Sequence, residues 1–150
     1  MPIGDLCNRE VIFAHRDDSI TAAAELMRRH HVGDLIVADE RDGLRVPVGI
    51  LTDRDLVVEI LAKGVALDAV NVGDIMTTEL LTARESDDTY DTIARMRNGG
   101  VRRMPVVDAH GALTGIIAVD DLLDLLAEEL GSLARLVARG QAREHHRRRG

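Results

Sequence analysis

Aromatic residues are nearly absent from this sequence, and it contains only one cysteine. Phe13 and Tyr90 are the only aromatic residues, and there is no tryptophan. Proteins that bind single-stranded nucleic acids stack the bases on aromatic side chains, so the composition argues against that class. With Cys7 alone the chain cannot form an intramolecular disulfide, which is typical of proteins in a reducing compartment.

Long apolar runs are also absent. The longest stretch without a charged residue covers the 11 residues from 109 to 119. A membrane-spanning helix needs about 20 apolar residues. The first residues show neither the basic start nor the apolar run of a signal peptide. The 150 residues are 45 % hydrophobic and 30 % charged, as in ordinary globular chains that fold without disulfides. We therefore expect a soluble, cytoplasmic protein.

Charge is distributed unevenly along the chain. The net charge is −7, but residues 131–150 contain six arginines and one glutamate, so residues 1–130 carry −12 against +5 in the tail. Binding to duplex nucleic acid relies on clustered basic residues, which makes a nucleic-acid partner for the acidic body improbable. The basic tail could contact nucleic acid or acidic surface of its own protein, but its composition is that of a solvated, partly disordered C-terminus.

An internal repeat organises the rest of the chain. Residues 4–39 align without a gap on residues 73–108, at an offset of 69, with ten identities in 36 positions. Ordinary composition would give roughly two or three identities by chance. After Asp39 the first copy has three extra residues, and from Gly49 onward the offset is 66. The chain is therefore a duplication.

Each copy has the pattern β-α-β-β-α after a short lead segment. Apolar runs predict the first strands, polar caps followed by apolar residues at helical spacing predict the first helices, and a turn joins the next two strands. In copy order, the predicted elements are strands 11–13 and 80–82, helices capped by Asp18 or Ser19 and by Asp87 or Asp88, strands 35–38 and 104–107, strands 46–52 and 112–119, and helices 53–61 and 120–130.

The predicted fold class is α/β, of the α+β kind, with two repeats packed by their sheets around a pseudo-two-fold axis. Each repeat alone has a marginal core of about 60 residues, so we expect the copies to bury each other's sheets. The predicted division is repeat 1 at residues 1–63, a linker at 64–72, repeat 2 at 73–130 and the basic tail at 131–150.

The repeated pattern resembles the CBS-domain family, in its stand-alone tandem form known as a Bateman module. Two runs carry the resemblance: Val101-Arg-Arg-Met-Pro-Val-Val-Asp108 in repeat 2 and Gly49-Ile-Leu-Thr-Asp-Arg-Asp55 in repeat 1. The resemblance covers about residues 4–130 and includes similarity to small bacterial two-repeat proteins. It implies a regulatory module without catalytic activity that forms homodimers and binds AMP, ADP, ATP or an S-adenosylmethionine-type ligand between the repeats.

The resemblance also implies which residues bind. In such modules the motif aspartate accepts hydrogen bonds from the ribose hydroxyls, and the motif threonine donates to a phosphate. Carried over to this sequence, these roles fall to Asp55 and Thr52, and basic residues of the opposite repeat, Arg102 or Arg103, would reach the phosphate. Because Arg102 and Arg103 alternate along a strand, only one of them can face the cleft.

The second cleft of this pair is expected to be weaker. Repeat 2 keeps the aspartate as Asp121 but has Ala118 in place of threonine, and repeat 1 offers Asp34 where repeat 2 offers an arginine. A titration should therefore find one competent site for a phosphorylated adenosine and one that is weak, empty or suited to an uncharged nucleoside.

Other interpretations of the same residues remain open. Thr52 with Asp55 fits an ordinary helix N-cap, and the module could be a ligand-free structural dimerisation protein. No catalytic or metal site is predicted: Cys7 lies in an apolar position, and the adjacent histidines 30 and 31 cannot face one ion from a helix. No obligatory cofactor is expected, and the effector protein is unknown. Leucines on the last helix favour a homodimer.

Overall fold

The computed structural model describes residues 1–149 and divides into two compact units, Met1–Ile117 and the residues from Ala118 onward. The first unit contains repeat 1 and repeat 2 up to Ile117. A short 3-10 turn, Ile3–Asp5, precedes the first strand. The helices and strands, in chain order, are β1 (Phe13–Ala14), α1 (Ile20–His30), β2 (Asp34–Arg41), β3 (Leu44–Thr52), α2 (Asp53–Asp55, continued by a π-helical segment Leu56–Leu61), α3 (Val72–Ile75), β4 (Ala83–Arg84), α4 (Thr89–Gly99), β5 (Arg103–Val107), β6 (Leu113–Ala118) and α5 (Val119–Arg149).

Each repeat forms its own three-stranded sheet, with the orders β1-β2-β3 and β4-β5-β6. The first strand of each repeat runs parallel to the second, and β2 pairs antiparallel with β3. Asp42 and Gly43, with φ of 51° and 77°, form the two-residue turn between β2 and β3. The predicted α+β class and the β-α-β-β-α order of both copies are confirmed.

The first helix of each repeat begins and ends as its sequence predicts. Ser19 Oγ accepts a hydrogen bond from Ala22 N (3.0 Å) at the start of α1, and Asp88 caps α4. Both helices end at a residue in the left-handed conformation, His31 (φ 53°) in one and Gly100 (φ 63°) in the other. His31 therefore lies at the C-cap of α1, where the helix ends.

The lead segments are exchanged between the repeats. Segment 3–8 precedes repeat 1 but hydrogen-bonds to repeat 2, and segment 72–77 bonds to repeat 1. The equivalent backbone bonds are Ile3 N to Asp87 O (2.9 Å) and Gly4 N to Glu85 O (2.9 Å) in one direction, and Val72 N to Asp18 O (3.0 Å) and Gly73 N to Arg16 O (2.9 Å) in the other. Each pair differs by 69 positions, so the exchange obeys the symmetry of the duplication.

Each exchanged segment ends against a glycine of the opposite repeat. The backbone of Thr77 exchanges two hydrogen bonds with Ile50, at 2.9 and 3.0 Å, and Asn8 does the same with Ile116. A Cβ added at the neighbouring Gly49 would lie 2.7 Å from Met76 Sδ and 2.8 Å from Thr77 O. Gly115 faces Cys7 Sγ in the same way. Glycine is needed at both positions because the exchanged backbone approaches too closely for a side chain.

The exchange also fills the core. The buried cluster of repeat 1 includes Leu35, Val37 and Leu51 of its own sheet together with Val72 and Met76 of the other repeat's lead segment. Ile3, at the opposite end of the chain, is fully buried as well. Neither repeat therefore contains a complete core made only from its own residues.

Two elements differ from the sequence predictions. The first strand of each repeat begins later in the sequence than predicted, at Phe13 and at Ala83. Ile12 packs against the core but does not pair with a neighbouring strand. An apolar run therefore indicates burial and does not by itself indicate strand pairing. The final helix was predicted to end at Leu130, before a frayed tail, yet α5 continues to Arg149. Residues 131–149 lack proline and consist largely of strong helix formers, which favours this continuation.

Within the described residues, no helix is long and apolar enough to span a membrane.

Gly49→Ala tests the exchanged segments. The added methyl group meets a backbone carbonyl and Met76 Sδ at less than 3 Å, so the segment must move. We expect a loss of roughly 1–3 kcal/mol in the free energy of unfolding, measured by urea denaturation. Gly140→Ala is the matched control: nothing lies within 4 Å of its Cβ position, so it should be neutral or stabilising. Equal stability of the two variants would contradict the close approach at Gly49.

Candidate functional site

Thr52 and Asp55 are hydrogen-bonded to each other at the junction between β3 and α2. Thr52 Oγ1 accepts a hydrogen bond from Asp55 N (3.1 Å), and Asp55 Oδ2 accepts one from Thr52 N (2.9 Å). This reciprocal pair is a capping box, the alternative interpretation of these two residues. Capping does not exclude ligand binding, since a carboxylate offers about four acceptor sites and the cap uses one.

The start of β2 lies directly beside this junction. Asp53 N donates to Gly33 O (2.9 Å), and Thr52 is the ladder partner of Asp34. A Cβ on Gly33 would lie 3.0 Å from Asp53 Oδ2, so the absence of a side chain there leaves room for the Asp53 carboxylate. Three carboxylates, from Asp34, Asp53 and Asp55, are thus gathered at one end of the first sheet.

Arg103 of repeat 2 reaches the same place. Its Nε lies 3.2 Å from Asp34 Oδ1, and both side chains are about one-third exposed or less, at 33 % and 27 %. Asp34 and Arg103 occupy equivalent positions, 69 residues apart, so this ion pair joins the two repeats at their symmetry-related strand starts. We call Asp34, Thr52, Asp53, Asp55 and Arg103 the Asp34 cluster.

Arg103 contacts a carboxylate in this structure. The resemblance directs Arg102 or Arg103 to a phosphate beside Thr52, and that role stays a prediction; the guanidinium of Arg103 lies against the Asp34 carboxylate. The negative charge of Asp34, which lies opposite Thr52, attracts the guanidinium first. Arg102 is exposed in the turn before β5 and forms no ion pair with residues 1–149. As predicted, the two adjacent arginines have different surroundings.

Burial shapes the ionisation of this cluster. Desolvation raises the pKa of Asp34 above its ordinary value; the Arg103 guanidinium opposes this rise, and the Asp53 carboxylate adds to it. The loss of hydration is thus larger than the gain from the ion pair. The contact with Arg103 therefore reduces the cost of keeping the Asp34 carboxylate charged.

Asp121 lies outside the first compact unit. It is exposed in the first turn of α5 and follows Ala118, which has no hydroxyl group with which to form a capping box like that of Thr52. A ligand site formed by Asp121 and Asp34 stays a prediction. The loss of the threonine in repeat 2 makes the two motif positions chemically unequal, as the sequence indicates.

Two further clefts in the first unit were missed by the sequence analysis. One measures about 470 Å³ and is lined by residues 15–17 and 38–41; the other, about 420 Å³, is lined by Arg84, Asp87, Arg95 and residues 107–109 among others. They are equivalent under the repeat and lie at the far end of the sheets from the Asp34 cluster. Their charged groups pair internally, as Arg16 with Asp39 and Arg95 with Asp87. No sequence motif signals them.

Cys7 and the histidines form no chemical centre. Burial raises the pKa of the Cys7 thiol, which opposes formation of a reactive thiolate, and the Sγ atom packs against Gly115. Within residues 1–149, no group of three His, Cys, Asp or Glu side chains is arranged to hold a metal ion.

The family follows from the sequence and the fold together. The family model for the CBS domain matches residues 3–62 and 72–128, which are the two repeats with their lead segments. The chain belongs to the CBS-domain family and is a tandem pair, as predicted.

Curated relatives are of similar or greater length. The chain is 31 % identical to hypoxic response protein 1 of Mycobacterium tuberculosis over 83 % of this chain and 84 % of that protein. It is 32 % identical to the CBS domain-containing protein YhcV of Bacillus subtilis, over 80 % and 81 % of the two chains. It is also 32 % identical to an uncharacterized protein of Methanopyrus kandleri, of which it spans 61 %.

Solved structures share the fold. The CBS domain pair of protein MJ0100, in complex with 5-methylthioadenosine and S-adenosyl-L-methionine, matches with a TM-score of 0.70 and 27 % identity, over 86 % of this chain and 98 % of that chain. Hypoxic Response Protein I, solved with two coordinated zinc ions, matches with a TM-score of 0.71 and 28 % identity, over 83 % and 98 %.

Arg103→Met tests the ion pair between the repeats. Because the folded-state pKa of Asp34 is already raised, the folded protein binds more protons than the unfolded chain just above the ordinary carboxyl range. Its stability therefore falls as pH rises through that window. Loss of Arg103 raises this pKa further, so we expect the variant to lose roughly 1–2 kcal/mol at about pH 7 and less at about pH 3.5, by urea denaturation.

Two controls isolate the pair. Arg103→Met in an Asp34→Asn background should lose the pH-dependent part of the effect, since the carboxylate is gone. Arg102→Met should change stability little at either pH, because that side chain is exposed. A pH-independent effect of Arg103→Met would show that Arg103 does not stabilise the Asp34 charge.

Proposed function

We propose that this chain is a regulatory module, without catalytic activity, that binds an adenosine derivative at the Asp34 cluster. The observation that carries the proposal is the paired Thr52 and Asp55 at the strand-to-helix junction of a family-matched repeat, with an arginine of the other repeat beside them. Residues of both repeats therefore meet where the family resemblance implies the ligand.

Asp55 retains the capacity to bind a ribose. Its Oδ2 is used by Thr52 N, while Oδ1 accepts no hydrogen bond from residues 1–149. Two neighbouring ribose hydroxyls can donate to the remaining lone pairs of a carboxylate. The junction is half-buried, so such bonds are partly shielded from competing water. The capping box also holds the carboxylate in one orientation before the ligand arrives, which reduces the entropy cost of binding.

The charges of the cluster favour an adenosine derivative without a phosphate chain. A phosphate beside Thr52 would have to draw Arg103 away from Asp34 and would lie near the carboxylates of Asp53 and Asp55. An uncharged thioether nucleoside or a sulfonium cation meets no such repulsion. The similar MJ0100 domain pair was solved with ligands of these two types, 5-methylthioadenosine and S-adenosyl-L-methionine. Among the expected ligands, we therefore favour these over AMP, ADP and ATP, at one site per chain.

Regulation follows from the position of the site between the repeats. A ligand transmits only the free energy by which it distinguishes two arrangements of the protein. A ligand that contacts Asp55 of repeat 1 and competes for groups near Arg103 of repeat 2 distinguishes arrangements in which the ion pair is made or broken. In a homodimer, that difference can be presented to an effector protein. The alternative, a ligand-free structural module, is favoured by the observation that Thr52 and Asp55 already satisfy each other.

Ligand-induced thermal stabilisation tests the proposal. S-adenosylmethionine or methylthioadenosine at about 100 times its Kd should add about 2.7 kcal/mol of stability, and ATP should add less at equal concentration. Asp55→Ala should abolish the stabilisation, because it removes the ribose acceptor. Isothermal titration calorimetry of the unmodified chain should give one ligand per chain.

The control must separate loss of a cap from loss of the site. Asp55→Ala also removes a helix cap and so lowers the melting temperature without ligand. Asp88→Ala removes the N-cap of α4, at a cost of the same order, and should leave the ligand response intact. No response to any adenosine derivative would favour the structural module. A stronger response to ATP than to methylthioadenosine would contradict the charge argument.

A further inference from the structure

The long helix α5 carries an apolar stripe along one exposed face. Five large side chains recur at alternating spacings of three and four residues, which places them on one side of the helix. They are Leu123 (60 % exposed), Leu126 (52 %), Leu130 (67 %), Leu133 (58 %) and Val137 (60 %). The family match ends at residue 128, so Leu130, Leu133 and Val137 of this α5 stripe lie beyond the matched residues.

The two halves of α5 carry opposite charge. Residues 119–130 contain five acidic residues and no arginine or lysine, while residues 131–149 contain six arginines and one glutamate. The helix is about 46 Å long, from its 31 residues, and the centres of the two charged regions lie about 23 Å apart, which is more than the screening length of about 8 Å at physiological salt. The α5 stripe crosses the boundary between the two regions.

We infer that the α5 stripe is the contact surface for α5 of a second copy of this chain, in antiparallel orientation. An antiparallel partner places the basic half of one helix along the acidic half of the other, and vice versa. A parallel partner would align like charges along the whole helix, and the helix dipoles would also repel. A nucleic acid or an anionic lipid surface would be repelled by the acidic half, which contains Leu123 and Leu126.

The midpoint of the antiparallel pair falls beside Leu130, which is the middle residue of the stripe and the last residue before the charge boundary. Ala127 and Ala134, on one flank of the stripe, then lie opposite each other across the pair. The arrangement specifies how the homodimer of the proposed function is built, and it rests on that function only for the existence of a dimer, not for ligand binding.

Leu133→Glu tests the surface. Leu133 is exposed in the single chain, so the substitution should leave folding unchanged while placing a charge in the stripe. We expect the dimer to dissociate at least ten times more readily, measured by sedimentation velocity over a concentration series. Ser132→Glu adds the same charge on the opposite face of α5 and is the matched control, which should leave the dimer intact.

Disulfide trapping tests the orientation. Ala127→Cys and Ala134→Cys are made separately in a Cys7→Ser background. Positions seven residues apart are offset by about 10 Å along a helix, whereas a disulfide requires Cα atoms within about 7 Å. An antiparallel pair should therefore cross-link a mixture of the two variants and neither variant alone. A parallel pair places equal flank positions on opposite sides of the contact, so the mixture would give no cross-link, which would overturn the inference.

The remaining outcomes separate this inference from the proposed function. A dimer that withstands Leu133→Glu, or that gives no cross-link in the mixture, overturns the α5 contact and leaves the ligand site standing. A chain that is monomeric at every concentration overturns both the dimer and the α5 contact, while the ligand response is measured independently. Binding to anionic vesicles that Leu133→Glu abolishes, with the oligomeric state unchanged, would assign the stripe to a membrane surface instead.

Discussion

The exchange of lead segments is the constraint on which the first compact unit depends. Backbone hydrogen bonds from Ile3 and Gly4 to repeat 2, and from Val72 and Gly73 to repeat 1, make each repeat the completion of the other. Because Val72 and Met76 lie in the buried cluster of repeat 1, separation of the repeats would expose apolar core as well as unpaired backbone groups. The two repeats therefore form one folding unit rather than two independent domains joined by a linker.

Packing of the two repeats against each other brings together the residues of the Asp34 cluster. The strand starts of the two repeats are brought together, so that the equivalent residues Asp34 and Arg103 form an ion pair. In an exactly symmetric duplication these positions would carry the same residue and could not pair in this way. Because the two copies differ here, with aspartate in one and arginine in the other, the contact is attractive. The same divergence left Thr52 in repeat 1 and Ala118 in repeat 2.

Because the two copies differ in sequence, the two repeats of the proposed module contribute different groups to the site. One repeat holds the capping box with the proposed ribose acceptor Asp55, and the other supplies Arg103. A ligand that competes at this ion pair acts on the relation between repeats, which is the property a partner protein can detect. The extended α5, with its apolar stripe and opposed charges, supplies a separate surface, so that ligand binding and self-association rest on different residues.

Much of this structure could be predicted from patterns of residues that are close together in the sequence. The duplication, the order of elements, the helix caps and the pairing of Thr52 with Asp55 all depend on residues close in sequence, where spacing reports contact directly. Contacts between distant segments could not be predicted in this way. Three features arise only when the repeats pack together: the exchange of lead segments, the need for glycine at 49 and 115, and the ion pair of Arg103 with Asp34. In each case several partners of suitable chemistry were available. The packed backbone determines which of them lies close enough to make the contact.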